Sequence, residues 1–257
     1  MKTAPDTHEA SPDNANEVSD YAGAVSDYAG ALSDYSGQQR RIEILAIALF
    51  SALASWSLWR LAQAADEPSE GWIVAAAALS GWIAVDLFSG VVHWAFDTWG
   101  SIHTPLLGKR FIRPFREHHW DAKAITRHGF VETNGAGCIA SLPVLAGTAM
   151  MPLATGGWLF LQAFGIFCAL AVLLTNQCHK WAHMDPEQLG PLVRAAQRLR
   201  LILRPQDHCQ HHIRPFNSHY CTATGWLNGP LQAIRFFRWL ERCVAALTRT
   251  AAPQEDR

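Results

Sequence analysis

Residues 158–183 read WLFLQAFGIFCALAVLLTNQCHKWAH, an apolar stretch that leads directly into two histidines. Its first 18 residues carry no Asp, Glu, Lys or Arg, and a helix needs roughly 17–25 mainly apolar residues to cross a bilayer core. His179 and His183 follow four residues apart, so a continued helix places both imidazoles on one face. The stretch therefore predicts a membrane-spanning helix that ends in two potential transition-metal ligands.

Three further apolar runs precede this stretch, in a chain of 257 residues of which 49% are hydrophobic and 17% charged. They cover Ile42–Trp59, Trp72–Val92 and Cys138–Leu153. The first two are long enough to span a bilayer, whereas the third is short and contains Pro143 and Pro152. Runs of this length with so little charge are rare in a soluble helical core, which is the alternative interpretation. The pattern predicts an all-α integral membrane protein with about four transmembrane helices.

The N-terminal residues differ in composition from the rest of the chain. Residues 1–40 are polar and acidic, and within them the unit Ser19-Asp-Tyr-Ala-Gly-Ala-Val recurs, in slightly changed form, at Ser26 and Ser33. Each unit has a glycine and only one large aromatic, which favours a disordered tail over a coiled coil. We expect this tail over 1–40, a membrane domain over 41–248 and a short C-terminal tail over 249–257, without a cleavable signal peptide.

The distribution of positive charge predicts the orientation in the membrane. With four spans, both termini, residues 93–137 and everything after Asn176 fall on one side. Of the 21 Lys and Arg residues, only Arg60 falls on the other side. The positive-inside rule then places the termini and the histidines in the cytoplasm, at a bacterial inner membrane or the endoplasmic reticulum. Six scattered cysteines without a Cys-x-x-Cys pair agree with a reducing compartment.

Histidines are concentrated beside the predicted membrane ends. Eleven of the twelve lie between His93 and His219, and most fall at spacings that share a helix face. Because His103 and His219 fit no pair, they are left out, and Cys209 is interpreted as a small filler residue. The candidate metal ligands are His93, His118, His119, His128, His179, His183, His208, His211 and His212. Nine imidazoles exceed the four ligands of a closed zinc site and suit two metal ions.

Two features narrow the class of metal centre. The Glu-x-x-His pattern of soluble carboxylate di-iron proteins is absent. Histidine-rich motifs at the cytoplasmic ends of spans resemble instead the integral-membrane desaturases and hydroxylases, whose di-iron centre is held mainly by imidazole. The fold expected from this likeness is a transmembrane bundle with a cytoplasmic, histidine-rich di-iron cap.

Longer motifs point to one family within that class. Over roughly residues 40–245 the chain resembles the plasmanylethanolamine desaturase family, which includes a plant plastid branch acting on phosphatidylglycerol. The motifs are His93-Trp-Ala-Phe-Asp-Thr-Trp-Gly, Phe111-Ile-Arg-Pro-Phe-Arg-Glu-His-His, Ile125-Thr-Arg-His-Gly-Phe-Val-Glu-Thr-Asn-Gly, His179-Lys-Trp-Ala-His and Thr224-Gly-Trp-Leu-Asn. Glu117-His118-His119 lacks the histidine three residues upstream that ordinary desaturases carry. This departure separates the family from the acyl-CoA desaturases.

The resemblance implies an activity, cofactors and partners. It implies a di-iron oxidoreductase that uses dioxygen and two electrons to form the vinyl ether bond of a plasmalogen, with the nine histidines as ligands and Asp97 as the matching catalytic acid. No haem, flavin, nicotinamide or iron–sulfur motif is recognisable, so a cytochrome b5-like or ferredoxin-like partner is expected to supply electrons. Nucleic acid is not an expected partner. An acidic electron carrier or lipid phosphates would suit the basic residues Lys109, Arg110, Arg113, Arg116, Lys123 and Arg127.

Alternatives remain at this stage. A desaturase or hydroxylase of phospholipid acyl chains, or a non-enzymatic metal-binding membrane protein, would also gather histidines near a membrane. Asp86, an acid inside a span, is expected either to orient a metal ligand or to bond a neighbouring helix. Pro191–Leu203 and Gly229–Leu247 mix arginines with apolar residues and are predicted to be interfacial helices on the inner leaflet.

Overall fold

A computed structural model describes residues 35–65, 67–152 and 155–250, which form helices, turns and loops and contain no strand. Most of the predicted tail and its repeat, residues 1–34, lies outside the described residues, as do residues 251–257. A π-helical turn at Gly108–Ile112 directly precedes the helix that begins at Arg113. The helices are α1 (Gly37–Ala64), α2 (Pro68–Thr98), α3 (Arg113–Trp120), α4 (Phe130–Met150), α5 (Gly156–His183), α6 (Pro191–Arg198), α7 (Pro205–His208), α8 (Asn228–Ala233) and α9 (Phe236–Thr248).

Four long helices form a bundle in which α1 packs on α4, α2 on α5, and α4 on α5. Phe50 of α1, Leu145 of α4 and Ala169 of α5 meet in one buried cluster. Leu61 and Ile166 belong to a second cluster, which joins α1 and α5 to α2. Large apolar side chains on the outside of the bundle remain exposed, as expected where lipid replaces water. They include Leu45, Trp56, Trp72, Leu79 and Trp158.

Three of these helices, α1, α2 and α5, are long and apolar enough to cross a membrane. The chain is therefore an all-α protein with membrane-spanning helices, as predicted, but a fourth span is not confirmed. Helix α4 falls short in apolar character because it contains several glycines and a Thr133-Asn134 pair. Those two side chains are buried and hydrogen-bonded: Thr133 donates to the carbonyl of Gly129, and Asn134 donates to the side chain of Gln177.

Helix boundaries differ from the sequence expectation at two places. Helix α1 begins at Gly37, within the expected tail, because the Ser36 hydroxyl accepts the Gln39 N–H and caps the helix. Helix α4 begins at Phe130, eight residues before the predicted run, and continues through Pro143. Pro143 lies on the exposed side of α4, away from the buried packing positions, so its ring displaces no packed side chain.

Helices α1 and α4 run side by side in the same direction. At one end Arg40 pairs with Glu132, and at the other Arg60 donates to the carbonyl oxygens of Ala149 and, at 2.6 Å, Met151. The two helices therefore extend between the same two levels of the bundle.

One face of α2 holds the irregular segment 220–228. Asp86 is fully buried, and its carboxylate accepts the backbone N–H groups of Thr224, Gly225 and Leu227 at 2.7, 3.0 and 3.2 Å. One turn along, Ser89 accepts the N–H of Thr222 at 3.0 Å. Asp86 thus contacts neither a candidate metal ligand nor a neighbouring long helix directly, and it acts instead on the segment that carries the Tyr220 carbonyl. Its role is to fix the loop that follows the last histidine motif.

The C-terminal helices carry exposed apolar side chains on short amphipathic elements. Leu192 of α6 and Trp239 and Leu247 of α9 are exposed, next to several arginines. This arrangement suits helices at a membrane surface.

Candidate metal centre

Eight of the nine predicted histidines converge at one end of the bundle. The end of α2 supplies His93, α3 supplies His118 and His119, and the last turn of α5 supplies His179 and His183. Helix α7 supplies His208, and the turns that follow it carry the other two. In these turns the N–H of His211 donates to the carbonyl of His208, and the N–H of His212 to that of Cys209. We call these eight residues the histidine centre: His93, His118, His119, His179, His183, His208, His211 and His212.

The ligand atoms of the histidine centre fall into two groups, within each of which they lie no more than 4.8 Å apart. One group comprises His93, His118, His119 and His211, and the other comprises His118, His183, His208 and His212. His118 belongs to both. His179 adjoins the second group, because its Nε2 lies 2.8 Å from Nε2 of His208 and 3.3 Å from that of His183. The arrangement is compatible with two neighbouring metal ions that share a ligand region.

Backbone carbonyls orient three of the imidazoles. Nδ1 of His93 lies 3.1 Å from the carbonyl oxygen of Tyr220, and Nδ1 of His211 lies 2.8 Å from that of Ser218. Nδ1 of His118 contacts the carbonyl oxygen of Phe115. A proton on Nδ1 directs the Nε2 lone pair inward, which is the usual arrangement behind a metal-bound histidine. Segment 220–228, held by Asp86, therefore continues directly from the carbonyls that orient His93 and His211.

The inward nitrogen atoms fit a bound cation. Nε2 of His118 is buried and has no hydrogen-bond partner among the described residues. Nε2 atoms face one another at 2.8 Å between His119 and His211, and at 2.9 Å between His183 and His208. Neutral imidazoles that point their lone pairs at each other repel, and a buried acceptor without a donor is unfavourable. A cation between these atoms removes both problems, so the residues fit a metal.

Burial keeps the histidine centre in its ligand form. Burial, followed by the charges of neighbouring histidines, lowers the pKa of His118 and His208 well below the usual value. The same two causes lower the pKa of His212 to about 2. Burial and the neighbouring His119 lower the pKa of His211 to about 4, with Asp97 opposing the shift. These imidazoles are neutral near pH 7, and a neutral imidazole is the form that binds a metal.

Asp97 lies inside the first histidine group. Its Oδ2 is 3.3 Å from Nε2 of His93, 3.4 Å from that of His119 and 3.5 Å from that of His211. The side chain is almost inaccessible to solvent. A carboxylate in this position can bind a metal beside the imidazoles or exchange a proton with a reacting group.

The remaining candidate, His128, is not brought into the histidine centre. It follows the short 3-10 turn Ala124–Arg127, and its carbonyl accepts a hydrogen bond from Lys180. Its ring belongs to neither ligand group. The residues left out of the sequence prediction also lie apart: His103 is exposed, and Nδ1 of His219 lies 3.0 Å from the Ser218 hydroxyl. The thiol of Cys209 is exposed and bonds the carbonyl of Gln206.

Several residues around the centre were not anticipated. The ring of Phe216 stacks on His119 with centroids 4.6 Å apart, and Tyr220 packs against His93 and His211. No spacing signal marks these aromatics, because their role depends on how segment 213–220 folds back. Arg116 was predicted to be part of a docking surface, but it is buried. It donates to the carbonyls of Phe96 and Gly100, each at 3.1 Å, at the end of α2.

A cavity of about 330 Å³ adjoins the centre, and we call it the polar cavity after its charged lining residues, although Phe111, Pro114, Phe115 and Ile125 also line it. His118 and His179 form part of its wall, so it leads to the candidate metal site. Lys109 and Arg110, both exposed, also line it, as do the acidic residues Glu43, Glu117 and Glu132 and the ring of His128.

A bundle of membrane-spanning helices with a buried histidine centre at one end defines a membrane protein with a candidate metal-binding site. Residues 82–256 match the lipid desaturase domain family, and the chain belongs to that family. Over 218 residues it is 45% identical to the plasmanylethanolamine desaturase of Myxococcus xanthus, which covers 84% of this chain and 76% of that protein. Over 183 residues it is 42% identical to plasmanylethanolamine desaturase 1 of Mus musculus, and the match covers 69% of this chain and 67% of that protein.

A plant relative is more distant. The chain is 36% identical over 168 residues to the chloroplastic fatty acid desaturase 4 of Arabidopsis thaliana, covering 65% of this chain and 50% of that protein. No solved structure matches the chain. Family membership and the apolar helices confirm a multi-pass membrane oxidoreductase that desaturates a membrane lipid.

Proposed function

We propose that this lipid desaturase forms the vinyl ether bond of a plasmalogen, converting plasmanylethanolamine to plasmenylethanolamine. Two relatives that bear the plasmanylethanolamine name are more similar to this chain than the plant fatty acid desaturase is. The balanced reaction converts an alkyl ether O–CH2–CH2 unit, dioxygen, two electrons and two protons into an O–CH=CH unit and two waters. The observation that carries the proposal is the similarity to these two relatives, and the two histidine groups that share His118 supply the candidate metal site for the reaction.

The proposed cofactor is a pair of iron ions. His93, His119 and His211 would hold one ion, His183, His208 and His212 the other, and His118 lies within reach of both. Bound iron would supply the oxidising power that an unactivated methylene requires. The proposed ligand set omits His128, whose ring lies in neither group.

The protein's own contribution is positional. Carbonyl groups fix the imidazoles before any substrate binds, and burial excludes bulk water from the reacting atoms. We assign Asp97 the role of catalytic acid, because its carboxylate sits among three imidazole nitrogens of one group.

We further propose that α4 crosses the membrane together with α1. It has 21 residues, and at about 1.5 Å per residue it is roughly 30 Å long, close to the thickness of a bilayer core. It also extends between the same levels as α1. With four spans, the positive-inside rule places the histidine centre in the cytoplasm, where a cytochrome b5-like or ferredoxin-like donor supplies the electrons.

The test is heterologous expression in a host that lacks plasmalogens and receives alkyl-ether phospholipid. Vinyl ether lipid, measured by mass spectrometry and by acid-released aldehyde, is expected with the wild type and with His103→Ala, whose imidazole is exposed and belongs to neither ligand group. His211→Ala is expected to abolish the product. Absence of vinyl ether from an expressed, iron-loaded and electron-supplied protein would contradict the proposal, and a hydroxylated product would favour an acyl or alkyl hydroxylase.

A further inference from the structure

The polar cavity connects the exposed edge of the protein with the histidine centre. Lys109 and Arg110 at its rim are exposed, whereas His118 and His179 at its inner end are buried. Its volume of about 330 Å³ lies in the range of small-molecule sites. Leu106 and Leu107, which only Gly108 separates from the basic pair, are exposed apolar residues, as expected of a segment at a membrane surface.

The cavity carries charges of both signs. Glu43 is fully buried, and its carboxylate accepts hydrogen bonds from the Tyr35 hydroxyl at 2.5 Å and the Gln39 amide at 3.0 Å. The Arg110 guanidinium lies 3.6 Å from the same carboxylate. These contacts fix an acid at the cavity wall and hold a cation next to it.

Besides the buried Glu117, two other charged residues line the cavity. Glu132 lines the cavity and pairs with Arg40, an exposed residue of α1. Lys109 forms no ion pair or hydrogen bond with any described residue, so its ammonium group is available to an anion. A purely anionic ligand would bring its charge close to the cavity's carboxylates, and a purely cationic one would approach Lys109 and Arg110. A ligand with separated positive and negative groups satisfies both sets.

Close packing of α4 on α1 positions Glu43 in the wall of the cavity. A Cβ atom on Gly135 would lie only 2.5–2.9 Å from the Glu43 side chain. Only glycine lets the two helices approach at this point, and the approach sets the position of Glu43 in the cavity. Gly147, on the same helix, has nothing within 4 Å of the equivalent position.

We propose that the polar cavity binds the zwitterionic headgroup of the phospholipid substrate, with Lys109 and Arg110 contacting the phosphate and Glu132 and Glu43 contacting a primary ammonium. The part of this proposal that concerns catalysis rests on the proposed function, whereas headgroup binding itself does not. A vinyl ether forms next to the glycerol, only a few bonds from the phosphate. A desaturase that acts there therefore needs its headgroup site beside its metal centre, and this cavity shares His118 and His179 with the centre.

The carboxylates of Glu43 and Glu132 also favour an ethanolamine headgroup over a choline headgroup. A primary ammonium donates hydrogen bonds to carboxylates, whereas a quaternary ammonium has no donor and prefers aromatic faces. Three aromatic residues line the cavity among the described residues. Phe111 is covered by Arg110 at 5.7 Å and stacked on Phe96 at 5.7 Å, Phe115 packs against His93 and Phe96 at 5.1 and 5.3 Å, and the Tyr35 hydroxyl is bonded to Glu43. We therefore expect ethanolamine phospholipid to bind more tightly than choline phospholipid.

The binding test uses the purified full-length chain in detergent. Native mass spectrometry measures how much phosphatidylethanolamine, phosphatidylcholine and phosphatidylglycerol the protein retains from micelles that contain the three lipids in equal amounts. Glu132→Gln is expected to lower the ethanolamine-to-choline retention ratio about tenfold, as for loss of a charge-assisted hydrogen bond. Glu187→Gln, an exposed acid outside the cavity, is the matched control and is expected to leave the ratio unchanged.

Lys109→Ala provides a second variant that does not break an internal ion pair. It is expected to weaken retention of the ethanolamine and choline lipids equally, by several-fold, because both carry the phosphate. Lys123→Ala, an exposed lysine paired with Asp185 outside the cavity, is its control. Retention that is unaffected by Lys109→Ala, or a headgroup ratio that is unaffected by Glu132→Gln in folded protein, would overturn the headgroup assignment.

Product analysis separates this inference from the proposed function. Both alkyl-acyl ethanolamine and alkyl-acyl choline lipids are supplied to expressing cells, and their vinyl ether products are quantified. If vinyl ether forms but the ratio of ethanolamine to choline product is unchanged by Glu132→Gln, the cavity proposal fails and the proposed function stands. If lipid retention depends on Glu132 but no vinyl ether forms, the proposed function fails and the headgroup site stands.

Discussion

The histidine centre and the polar cavity share a wall but are built in different ways. In the centre, neutral imidazoles are buried and several are oriented by backbone carbonyls. In the cavity, charged side chains are oriented mainly by other side chains, and two of them reach the surface. The first design suits a metal site, where small displacements matter; the second suits recognition of a lipid that enters and leaves. Substitutions in the centre should therefore reduce turnover or metal content, whereas substitutions in the cavity should change headgroup preference.

The largest effect is expected for His118→Ala, which removes the one imidazole that belongs to both ligand groups. Desaturation should fall below detection, since ligands act as a unit. Metal analysis of the purified variant should show loss from both sites. His103→Ala, at an exposed histidine, should retain activity and metal. Full activity of His118→Ala would contradict the shared-ligand arrangement.

Asp97→Asn keeps the shape of the side chain but removes its charge and its capacity to exchange a proton. If Asp97 is the catalytic acid, turnover should fall about 10²–10⁴-fold while the metal content stays near that of the wild type. Loss of metal together with activity would instead assign Asp97 as a ligand. Unchanged turnover would exclude both roles.

An intermediate effect is expected for Asp86→Asn, which acts on the centre from a distance. The amide retains one acceptor oxygen and turns an NH2 group toward the backbone donors of segment 224–227. The apparent melting temperature should fall by several degrees, for a loss of about 1–3 kcal/mol. Turnover should fall less than for Asp97→Asn. Asp185→Asn, at an exposed acid, is the control. An unchanged melting temperature would show that Asp86 does not hold the segment.

The smallest effect is expected for Gly135→Ala, which presses on Glu43 and leaves the histidine centre intact. The preference for ethanolamine over choline substrate should fall by a factor of about three to ten, because a displaced Glu43 carboxylate loses about 1 kcal/mol of its charge-assisted hydrogen bond to the ammonium. Metal content should not change. Gly147→Ala places the same methyl group on the same helix in open space and should have no effect. Equal effects of the two variants would remove the link between Glu43 and headgroup preference.

Local pattern was sufficient for those parts of the site that depend on a single helix. His179 and His183 extend the apolar run of α5 as predicted, and His93 and Asp97 share one face of α2. These features follow from helix periodicity alone. The length and apolar character of three runs likewise predicted the three spans that the structure supports.

The rest depends on tertiary contacts that no spacing reveals. His211 and His212 reach the centre through turns rather than a continuous helix, beside a segment that Asp86 fixes by backbone hydrogen bonds. His128 has as favourable a sequence context as its neighbours, yet the turn before α4 leaves its ring outside both ligand groups. The early start of α4 rests on buried polar pairs such as Asn134 with Gln177, which hydropathy counts against a span.

The central claim is that two metal ions share this histidine centre, and its most direct test is the iron content of the purified wild type. Elemental analysis by mass spectrometry, combined with Mössbauer spectroscopy of protein grown on ⁵⁷Fe, measures both stoichiometry and coupling. The two ligand groups that meet at His118 predict two iron ions per chain with a coupled spectrum. One metal ion per chain, or zinc in place of iron in active protein, would contradict the account.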